Sequence, residues 1–341
     1  MAGGYWRKSR PTQDDVARRA GVSQTTVSQV LNNSAFAVPD ETRQRILAAI
    51  EELGYLPDAI ARGLRKRETY TIASIIPNIT NPFYPSVERG LQDVAERFGY
   101  DLIVYNTDGV AEKEHKCLRS VQQRGVDGIV ASFFHVTTVD LRPLLERNVP
   151  VVRLESRAQG TGSLPLDNLY VDSVAAAHDA VRYLIDRGYR PVGTIVAENG
   201  PGPLRLLGYR RALEESDVPV DESLIAHADF TEQGGYTGMR KLLSRPSRPR
   251  AVFAANDMMA MGALVALREV GLRVPEDVAM MGFDDISAAK LVNPPLTTIR
   301  LFQEQLGGRA AELLIERLQG KAPEGGRSEE MPFELVKRES A

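Results

Sequence analysis

The stretch "DDVARRAGVSQTTVSQVLNN", residues 14–33, reads as two very short helices separated at Gly21. Thr12 and Asp15 form the pattern of a capping box at the start of the first helix, and Ser23 is a typical N-cap for the second. Two helices joined by a three-residue turn that contains glycine have the layout of a helix-turn-helix. Two helices this short cannot bury a core of their own, which raises the question of what they pack against and what they bind.

Apolar residues between positions 12 and 54 recur at i, i+3 and i+4, which predicts three short helices around one small core. The residues expected to face this core are Val16, Ala17, Ala20, Val22, Val27, Val30, Leu31, Ile46, Leu47, Ile50 and Leu53. This pattern leaves Gln24, Thr25, Ser28 and Gln29 on the outer face of the second helix. Small polar side chains there suit entry into the major groove of DNA, although a plain solvent-facing helix has the same composition.

The charges of the 341-residue chain are unevenly distributed, although the net charge is only −3. Residues 1–67 contain 11 Lys and Arg against 7 Asp and Glu, which gives this part a net charge of +4 and the remainder −7. A basic N-terminal part followed by an acidic remainder indicates either that the N-terminal part binds a polyanion or that it is a solvated basic segment.

The compartment is also indicated by the sequence. No apolar run approaches the length of a membrane span, and "MAGGYWRKSRPTQDD" lacks the apolar centre of a signal peptide. The single cysteine, Cys117, cannot form an internal disulfide and fits a reducing environment. We therefore expect a cytoplasmic protein that does not associate with a membrane.

From residue 71 onward, short apolar strands alternate with helices. The strand candidates are "TIASIIP", "YDLIVYN", "DGIVAS", "PVVRL", "VGTIVA", "AVFAAN" and "VAMMGF". This alternation predicts parallel sheets that are covered by helices on both faces, with ligands bound at the carboxyl ends of the strands. Because the segment is long for one sheet, we expect two similar lobes with a cleft between them.

Enzyme and transport functions are disfavoured by the same sequence. The glycines of "GPGPLRLLG" do not have the spacing of a dinucleotide fingerprint, and no nucleophile–base–acid set stands out. Four scattered histidines, His115, His135, His178 and His227, lack metal-ligand spacing. We therefore expect no catalytic residues, no metal site and no cofactor. A transport-type binding protein would need a secretion signal and would leave the helix-turn-helix unexplained.

Eight motifs occur in a specific order: "DVARRAGVS", "ELGYLP", "NITNPFY", "VDGIV", "RLLGYRRAL", "FAANDMMAMGAL", "GLRVPEDVAMMGFDD" and "PPLTTIR". Together they resemble the lactose/galactose-repressor (LacI/GalR) family of bacterial transcription factors over nearly the whole chain. The resemblance implies an α/β protein with an N-terminal all-α helix-turn-helix headpiece and a two-lobed parallel-sheet core similar to periplasmic binding proteins. The implied domains are a DNA-binding domain at 1–57, a hinge helix or linker at 58–69 and an effector-binding and dimerisation core at 70–341. Lobe one would be about 70–170 and 301–328, and lobe two about 171–300 and 329–341.

The function implied by the resemblance is repression of transcription. The protein would bind double-stranded operator DNA with an inverted repeat as a homodimer, since one helix-turn-helix covers little DNA. A small-molecule effector, expected to be a sugar, would bind in the cleft between the lobes and control the DNA affinity.

The resemblance also implies which residues contact DNA. Gln24, Thr25 and Gln29 would read bases; the family usually has arginine at Gln29, and glutamine suits adenine better than guanine. The positions that match phosphate contacts are Ser23, Thr26, Ser28, Asn32 and Arg43. The remaining predicted DNA-contacting residues are Thr12, Tyr55, Ala61 and Leu64, and Leu64 would wedge into the minor groove from the hinge helix. Asp58 replaces an asparagine that is usual in the family.

A second group of residues matches positions that line the effector pocket in the family. Arg205, Asn256 and Asp284 would hydrogen-bond a polyol, while Phe230 would stack on its flat face. From lobe one, the matching residues are Phe83, Tyr84, Ser132 and Glu155. Two alternatives stay open: Asn256 and Asp284 could only cap helices, and Phe230 could be an ordinary core residue. The stretch "ENGPGPLR" departs from the family pattern and is expected to reshape the pocket wall.

Overall fold

The computed structural model of the chain describes residues 11–31, 38–56, 68–155, 157–158, 160 and 164–341. The chain divides into two units, residues 1–69 and residues 70–341. Among the described residues, no helix has both the length and the apolar surface that crossing a bilayer requires.

The first unit contains the helices α1 (Gln13–Ala20), α2 (Gln24–Leu31) and α3 (Asp40–Leu53). The predicted capping box is present: Asp15 N donates to Thr12 Oγ1 at 3.3 Å, and Thr12 N donates to Asp15 Oδ2 at 2.9 Å. Gly21 ends α1 with φ 66°, a left-handed conformation that glycine adopts without steric cost. Ser23 Oγ then accepts a hydrogen bond from Thr26 N at 3.2 Å, as its predicted role at the start of α2 requires.

The headpiece core is formed by Val16, Val27 and Ile46, each fully buried, together with smaller neighbours. One predicted core residue is misplaced: Leu47 is 51% exposed, and Ala49 is buried in the interior instead. The reason is geometric, because Leu47 follows Ile46 by one residue and is therefore rotated about 100° away from the buried stripe of α3.

The second unit is built on two parallel sheets. The first sheet has the strand order β2-β1-β3-β4-β5-β11, and all its pairs are parallel. Its strands are β1 (Thr71–Ile76), β2 (Asp101–Asn106), β3 (Gly128–Ala131), β4 (Val151–Glu155), β5 (Leu166–Tyr170) and β11 (Ser328–Glu330). The helices in this part are α4 (Phe83–Arg97), α5 (Ala111–Arg124), α6 (Thr138–Leu145) and α11 (Gln303–Leu318). We call this sheet and these helices lobe one.

The second sheet has the strand order β7-β6-β8-β9 and is also parallel. Its strands are β6 (Val192–Val196), β7 (Ile225–His227), β8 (Ala251–Ala254) and β9 (Ala279–Met281). The helices are α7 (Ser173–Asp186), α8 (Gly202–Glu214), α9 (Glu232–Leu243) and α10 (Asp257–Glu269). We call this sheet with its helices lobe two. A separate antiparallel pair consists of β10 (Thr298–Arg300) and β12 (Glu334–Val336).

All seven predicted strands are present, and the predicted α/β fold class with parallel sheets is confirmed. Five short strands, β5, β7, β10, β11 and β12, were not predicted. Their sequences, such as "LDNLY" and "SEE", contain polar residues and lack a continuous apolar run. Both sheets are buried on two faces, and both place the carboxyl ends of their strands where loops can meet in a cleft.

Candidate functional site

The outer face of α2 presents fewer polar side chains than the sequence predicts. Gln24 and Thr25, in the first turn, are exposed, as expected for residues that contact another molecule. Ser28 and Gln29, one turn further on, are half-buried. The exposed part of the helix is therefore its N-terminal turn, which is the end that helix-turn-helix proteins insert toward bases.

The other predicted DNA-contacting residues have mixed environments. Ser23 Oγ lies 2.8 Å from Thr26 Oγ1 at the start of α2, and Thr12 caps α1. Arg43 is half-buried on α3. Tyr55 is only 5% exposed and packs in the headpiece core, so its ring serves the packing of this unit. The positions Asn32, Asp58, Ala61 and Leu64 lie outside the described residues.

A cavity of about 910 Å³ lies between the two lobes of the second unit. All eight residues predicted for an effector site line this one cavity, although they are distributed over 200 positions of the chain. They are Phe83, Tyr84, Ser132, Glu155, Arg205, Phe230, Asn256 and Asp284. Each is carried by the end of a strand or the start of a helix, which is where the topology of parallel sheets gathers ligand-binding groups.

Arg205, on α8, is at the centre of the polar part of this cavity. It is 6% exposed, its Nη1 donates to the carbonyl oxygen of Ala255, and its Nη2 lies 3.6 Å from Asp284 Oδ1. The guanidinium stacks on Phe283, with 3.8 Å between Cζ and the ring centroid. Its Nε has no hydrogen-bond partner within the part of the chain that the structure describes. The contacts with Ala255 and Asp284 therefore fix the orientation of the guanidinium at the wall of the cavity.

Two neighbouring carboxyls in lobe two have raised pKa values. Burial raises the pKa of Asp284 to about 7, although the nearby Arg205 opposes the shift. Asp257 has no exposed surface; burial and the charge of Asp284 raise its pKa well above the ordinary value. Asp257 also accepts hydrogen bonds from Thr298 Oγ1 at 2.6 Å and Ile286 N at 2.9 Å. Asp257 thereby ties α10 to the loop that carries Asp284.

Asp284 has an unusual backbone conformation, with φ 112°. Its amide donates to the Ile299 carbonyl at 2.8 Å, and Gln303 Nε2 donates to its carbonyl oxygen. The backbone of Asp284 is therefore held on both sides, which leaves the carboxylate directed to Arg205 and the cavity. A non-glycine residue kept in this region by its neighbours is typical of functional sites.

Lobe one contributes an aromatic wall. The rings of Phe83 and Tyr84 meet edge to face with centroids 5.1 Å apart at the start of α4. Burial raises the pKa of Tyr84 to about 12, while a hydrogen bond with Ser132 opposes the shift. The charges of Asp284 and Arg205 also act on this phenol, so Tyr84 lies near the ionic pair of the opposite lobe.

The alternative role for Asn256 is present as well. Asn256 Oδ1 caps α10 by accepting from Met259 N at 2.8 Å, and its Nδ2 donates to the Phe230 carbonyl at 3.4 Å. Asn256 therefore positions the backbone next to Phe230 while it lines the cavity. Phe230 is half-buried and its ring centroid lies 6.0 Å from Arg205 Cζ.

Arg153 and Phe134 are two of the cavity-lining residues that the sequence analysis did not predict. Arg153, in the middle of β4, is 5% exposed and faces the same cavity as Glu155. The signal was available, because an arginine inside the apolar strand "PVVRL" lies two residues before Glu155 and hence on the same face. Phe134 was the second omission; it follows β3 and lines the mouth of the cleft.

The comparisons with known proteins agree with this architecture. Residues 12–58 match the family described as bacterial regulatory proteins, lacI family, and residues 181–341 match the periplasmic binding protein-like domain. The ribose operon repressor of Escherichia coli (strain K12) is 38% identical over 312 residues, which cover 90% of this chain and 93% of the relative.

Two further proteins are similar over almost their entire length. The HTH-type transcriptional repressor PurR of Vibrio atlanticus (strain LGP32) is 36% identical over 331 residues, or 96% of this chain and 97% of that one. A solved complex of the transcriptional regulator CelR with cellobiose superimposes with a TM-score of 0.72 at 32% identity. The match covers 97% of this chain and all of that chain.

Proposed function

The chain belongs to the lacI family of bacterial regulatory proteins, and we propose that it is a cytoplasmic repressor that binds an inverted-repeat operator as a homodimer. A small molecule in the interlobe cavity controls its affinity for DNA. The observation that carries this proposal is the convergence of eight predicted residues, from both lobes, on one cavity. The protein acts by binding and not by catalysis.

In the proposed complex, the first turn of α2 enters the major groove. Gln24 and Thr25, which are exposed, reach base edges, while Gln29 contacts an adenine further along the groove. Ser23, Thr26 and Ser28 hold phosphates that fix the register of the helix. Two headpieces bind the two halves of the operator, so the recognition requires the dimer.

The proposed effector is a sugar. One relative is named for the ribose operon and one structural neighbour is a complex with cellobiose, and both names concern those proteins. The cavity of this chain supports the same class of ligand, because Arg205 and Asp284 place donors and acceptors beside the ring of Phe230. Polar groups next to an aromatic face match the hydroxyls and the apolar face of a sugar ring.

Control of DNA binding requires that the sugar prefers one arrangement of the lobes. Since Phe83 and Tyr84 come from lobe one and Arg205 and Asp284 from lobe two, a ligand that contacts both sets favours a closed cleft. The ligand shifts the population of dimers only by its difference in affinity for the open and closed states.

The test has two readouts on the full-length protein. Selection from random DNA should recover an inverted repeat, and analytical ultracentrifugation should give a dimer. In a gel shift with the selected operator, a panel of sugars should contain at least one that changes the affinity. Arg205→Ala should bind the operator normally but lose the response, whereas Arg211→Ala, an exposed arginine on the same helix, should respond like the wild type. A monomer that selects no palindromic sequence would refute the proposal.

A further inference from the structure

A run of basic residues connects α9 to β8 on lobe two. The segment "RKLLSRPSRPR", residues 240–250, contains four arginines, one lysine and no acidic residue. All five cationic side chains are exposed. They belong to the part of the chain, residues 68–341, that has a net charge of −7. The segment is therefore a local concentration of positive charge on an acidic body.

The stability of lobe two explains only part of this charge. Two of the cations lie in the last turn of α9, where positive charge favours the negative end of a helix. The guanidinium of Arg250 donates to the backbone carbonyl oxygens of Glu276 at 3.1 Å and Asp277 at 2.9 Å. Arg245 and Arg248 lie beyond the end of the helix, and neither explanation applies to them.

A depression of about 240 Å³ lies within this charged surface. It is lined by Arg240, Leu243, Ser244, Arg248, Val270 and Leu272, which we call the basic depression. Its apolar residues come from the last turn of α9 and from the chain that follows α10, and Val270 keeps 45% of its surface exposed. Exposed apolar surface with a polar rim is typical of an interaction site.

The two arginines of the basic depression are not engaged within the protein. Neither Arg240 nor Arg248 forms an ion pair or a side-chain hydrogen bond with another residue in the described part of the chain. The acidic neighbour of Val270 in the sequence, Glu269, accepts a hydrogen bond from Tyr236 Oη at 2.7 Å. Both guanidinium groups can therefore pair with carboxylates of another molecule.

The basic depression and the interlobe cavity lie at opposite ends of the second sheet. The segments that line the depression lead into β8 and β9, which begin at Ala251 and Ala279. The cavity residues Asn256 and Asp284 come after the carboxyl ends of the same two strands. A molecule bound in the depression therefore does not occupy the effector cavity.

The composition of the basic depression favours an acidic peptide over a nucleic acid. Single-stranded nucleic acids are bound by stacking on aromatic side chains, and none of the six lining residues is aromatic. Duplex DNA is held mainly through its phosphates, to which an apolar floor contributes little. Protein interfaces, by contrast, combine arginine with an apolar centre, and complementary charge selects the partner.

We propose that the basic depression docks an acidic segment of a partner protein. An apolar side chain of that segment inserts against Leu243, Val270 and Leu272. Aspartate or glutamate side chains that flank it pair with Arg240 and Arg248. This interaction is separate from the proposed function, since it requires neither operator DNA nor an effector.

The experiment starts from a phage-displayed library of random dodecapeptides, selected on the immobilised full-length protein. The same library is selected on the double variant Arg240→Glu with Arg248→Glu. We expect the wild type to enrich peptides in which an apolar residue is flanked by acidic residues, and the double variant not to enrich them. If the two selections yield the same peptides, or if the wild type enriches none of this kind, the proposal is wrong.

Fluorescence anisotropy with one selected peptide then measures the contribution of each part of the site. The Arg240→Glu with Arg248→Glu variant should bind about tenfold more weakly or worse, because each reversal replaces attraction by repulsion. Val270→Ser should weaken binding by about threefold or more, because it removes apolar surface from the floor of the depression.

Matched controls distinguish the site from a general effect of charge or of apolar surface. Arg147→Glu with Arg211→Glu reverses two exposed arginines, one in each lobe, and changes the net charge equally. Val139→Ser replaces a valine that is 75% exposed on α6. Both controls should bind the peptide like the wild type, and circular dichroism should show that all variants are folded.

The remaining outcomes would overturn the proposal. Equal losses in the two double variants would mean that the peptide responds only to net charge. Wild-type affinity in Val270→Ser would mean that no apolar side chain inserts. A variant of Arg240 and Arg248 that loses affinity for random-sequence DNA while it keeps that for the peptide would assign the surface to nucleic acid. Operator selection by the wild type tests the proposed function separately.

Discussion

The ring of Phe134, in lobe one, lies against the backbone of Gly200, in lobe two. An ideal β-carbon built on Gly200 would be 2.6 Å from Phe134 Cε1, and one built on Gly109 would be 2.8 Å from Phe134 Cδ2. The ring therefore contacts two glycines, one from each lobe, and Phe134 and Gly200 both line the cavity. Gly200 belongs to "ENGPGPLR", the stretch that the sequence analysis expects to reshape the pocket wall.

We predict that Gly200→Ala weakens both the stability of the core and its affinity for ligands. The added methyl group would overlap the ring of Phe134, which also packs against Gly109, and the φ of 54° is unfavourable for alanine. We expect a loss of about 2–3 kcal/mol in the free energy of unfolding, measured by chemical denaturation.

A matched control separates the two causes of that loss. Gly188 has φ 84° and no atom within 4 Å of its hypothetical β-carbon, so Gly188→Ala should cost only the backbone strain, about 1 kcal/mol. Combining Gly200→Ala with Phe134→Ala should recover the steric part of the cost. Equal losses in Gly188→Ala and Gly200→Ala would mean that the contact between the lobes is unimportant.

Glu114 holds the loop that carries Phe134. This carboxylate has no exposed surface and accepts hydrogen bonds from three consecutive amides, those of Phe134 at 2.7 Å, His135 at 3.0 Å and Val136 at 2.9 Å. Glu114→Gln replaces one acceptor oxygen by a donor that faces an amide N–H. We predict a loss of about 1–3 kcal/mol in the free energy of unfolding, measured by chemical denaturation at pH 7.

Glu112 provides the comparison, since it is exposed on the first turn of the same helix. Glu112→Gln should change the stability by less than about 0.5 kcal/mol. If both glutamine variants unfold at the same denaturant concentration, Glu114 does not organise the loop.

Much of the cavity could be predicted because parallel sheets place their ligand-binding groups at strand ends and helix starts. Asn256 and Asp284 lie in the short segments after β8 and β9, and Tyr84 lies in the first turn of α4, so their positions are set by connectivity. Arg153 was harder to predict, because it lies within a strand and its role depends on the neighbouring strand that supplies Asn168. Phe134 could not be predicted, since its environment is made by glycines from two distant loops.

The headpiece shows a similar limit on a smaller scale. Periodicity places Val16, Val27 and Ile46 in the core, but it does not decide which apolar residues lie at the edge of a buried stripe. Leu47 lies outside the core for this reason, and Gln29 is half-buried where full exposure was expected. The edge of a stripe depends on how closely the partner helix approaches, which a single sequence does not contain.

The base preference at Gln29 can be tested directly. We predict that Gln29→Arg changes the operator recovered from random DNA, with guanine replacing adenine at one position of each half-site, because arginine pairs with guanine in the major groove. Gln123→Arg, an exposed residue of α5 in lobe one, adds the same charge away from the headpiece. It should strengthen binding to all sequences at most slightly and leave the recovered site unchanged. Recovery of the same site by Gln29→Arg and wild type would exclude base reading by this residue.

Asp284 should make the core less stable as the pH rises. Burial raises the pKa of its carboxyl from 3.8 to about 7, so between these values the folded protein keeps a proton that the unfolded chain has released. Stability from this group is therefore greatest below about pH 4, falls as the pH rises toward 7 and is constant above it.

Asparagine at position 284 would have the shape of the protonated acid and could not ionise. Asp284→Asn should match the wild type near pH 4 and exceed its free energy of unfolding by roughly 1–4 kcal/mol at pH 8, measured by urea denaturation. The gain persists despite the lost attraction to Arg205, since desolvation outweighs that attraction in the wild type. Asp229→Asn, at the exposed rim of the cavity, should show no such difference between the two pH values. If the Asp284→Asn protein has the same free energy of unfolding as the wild type at both pH values, this carboxyl ionises without a cost in stability. The interlobe cavity would then be more hydrated than its buried side chains indicate.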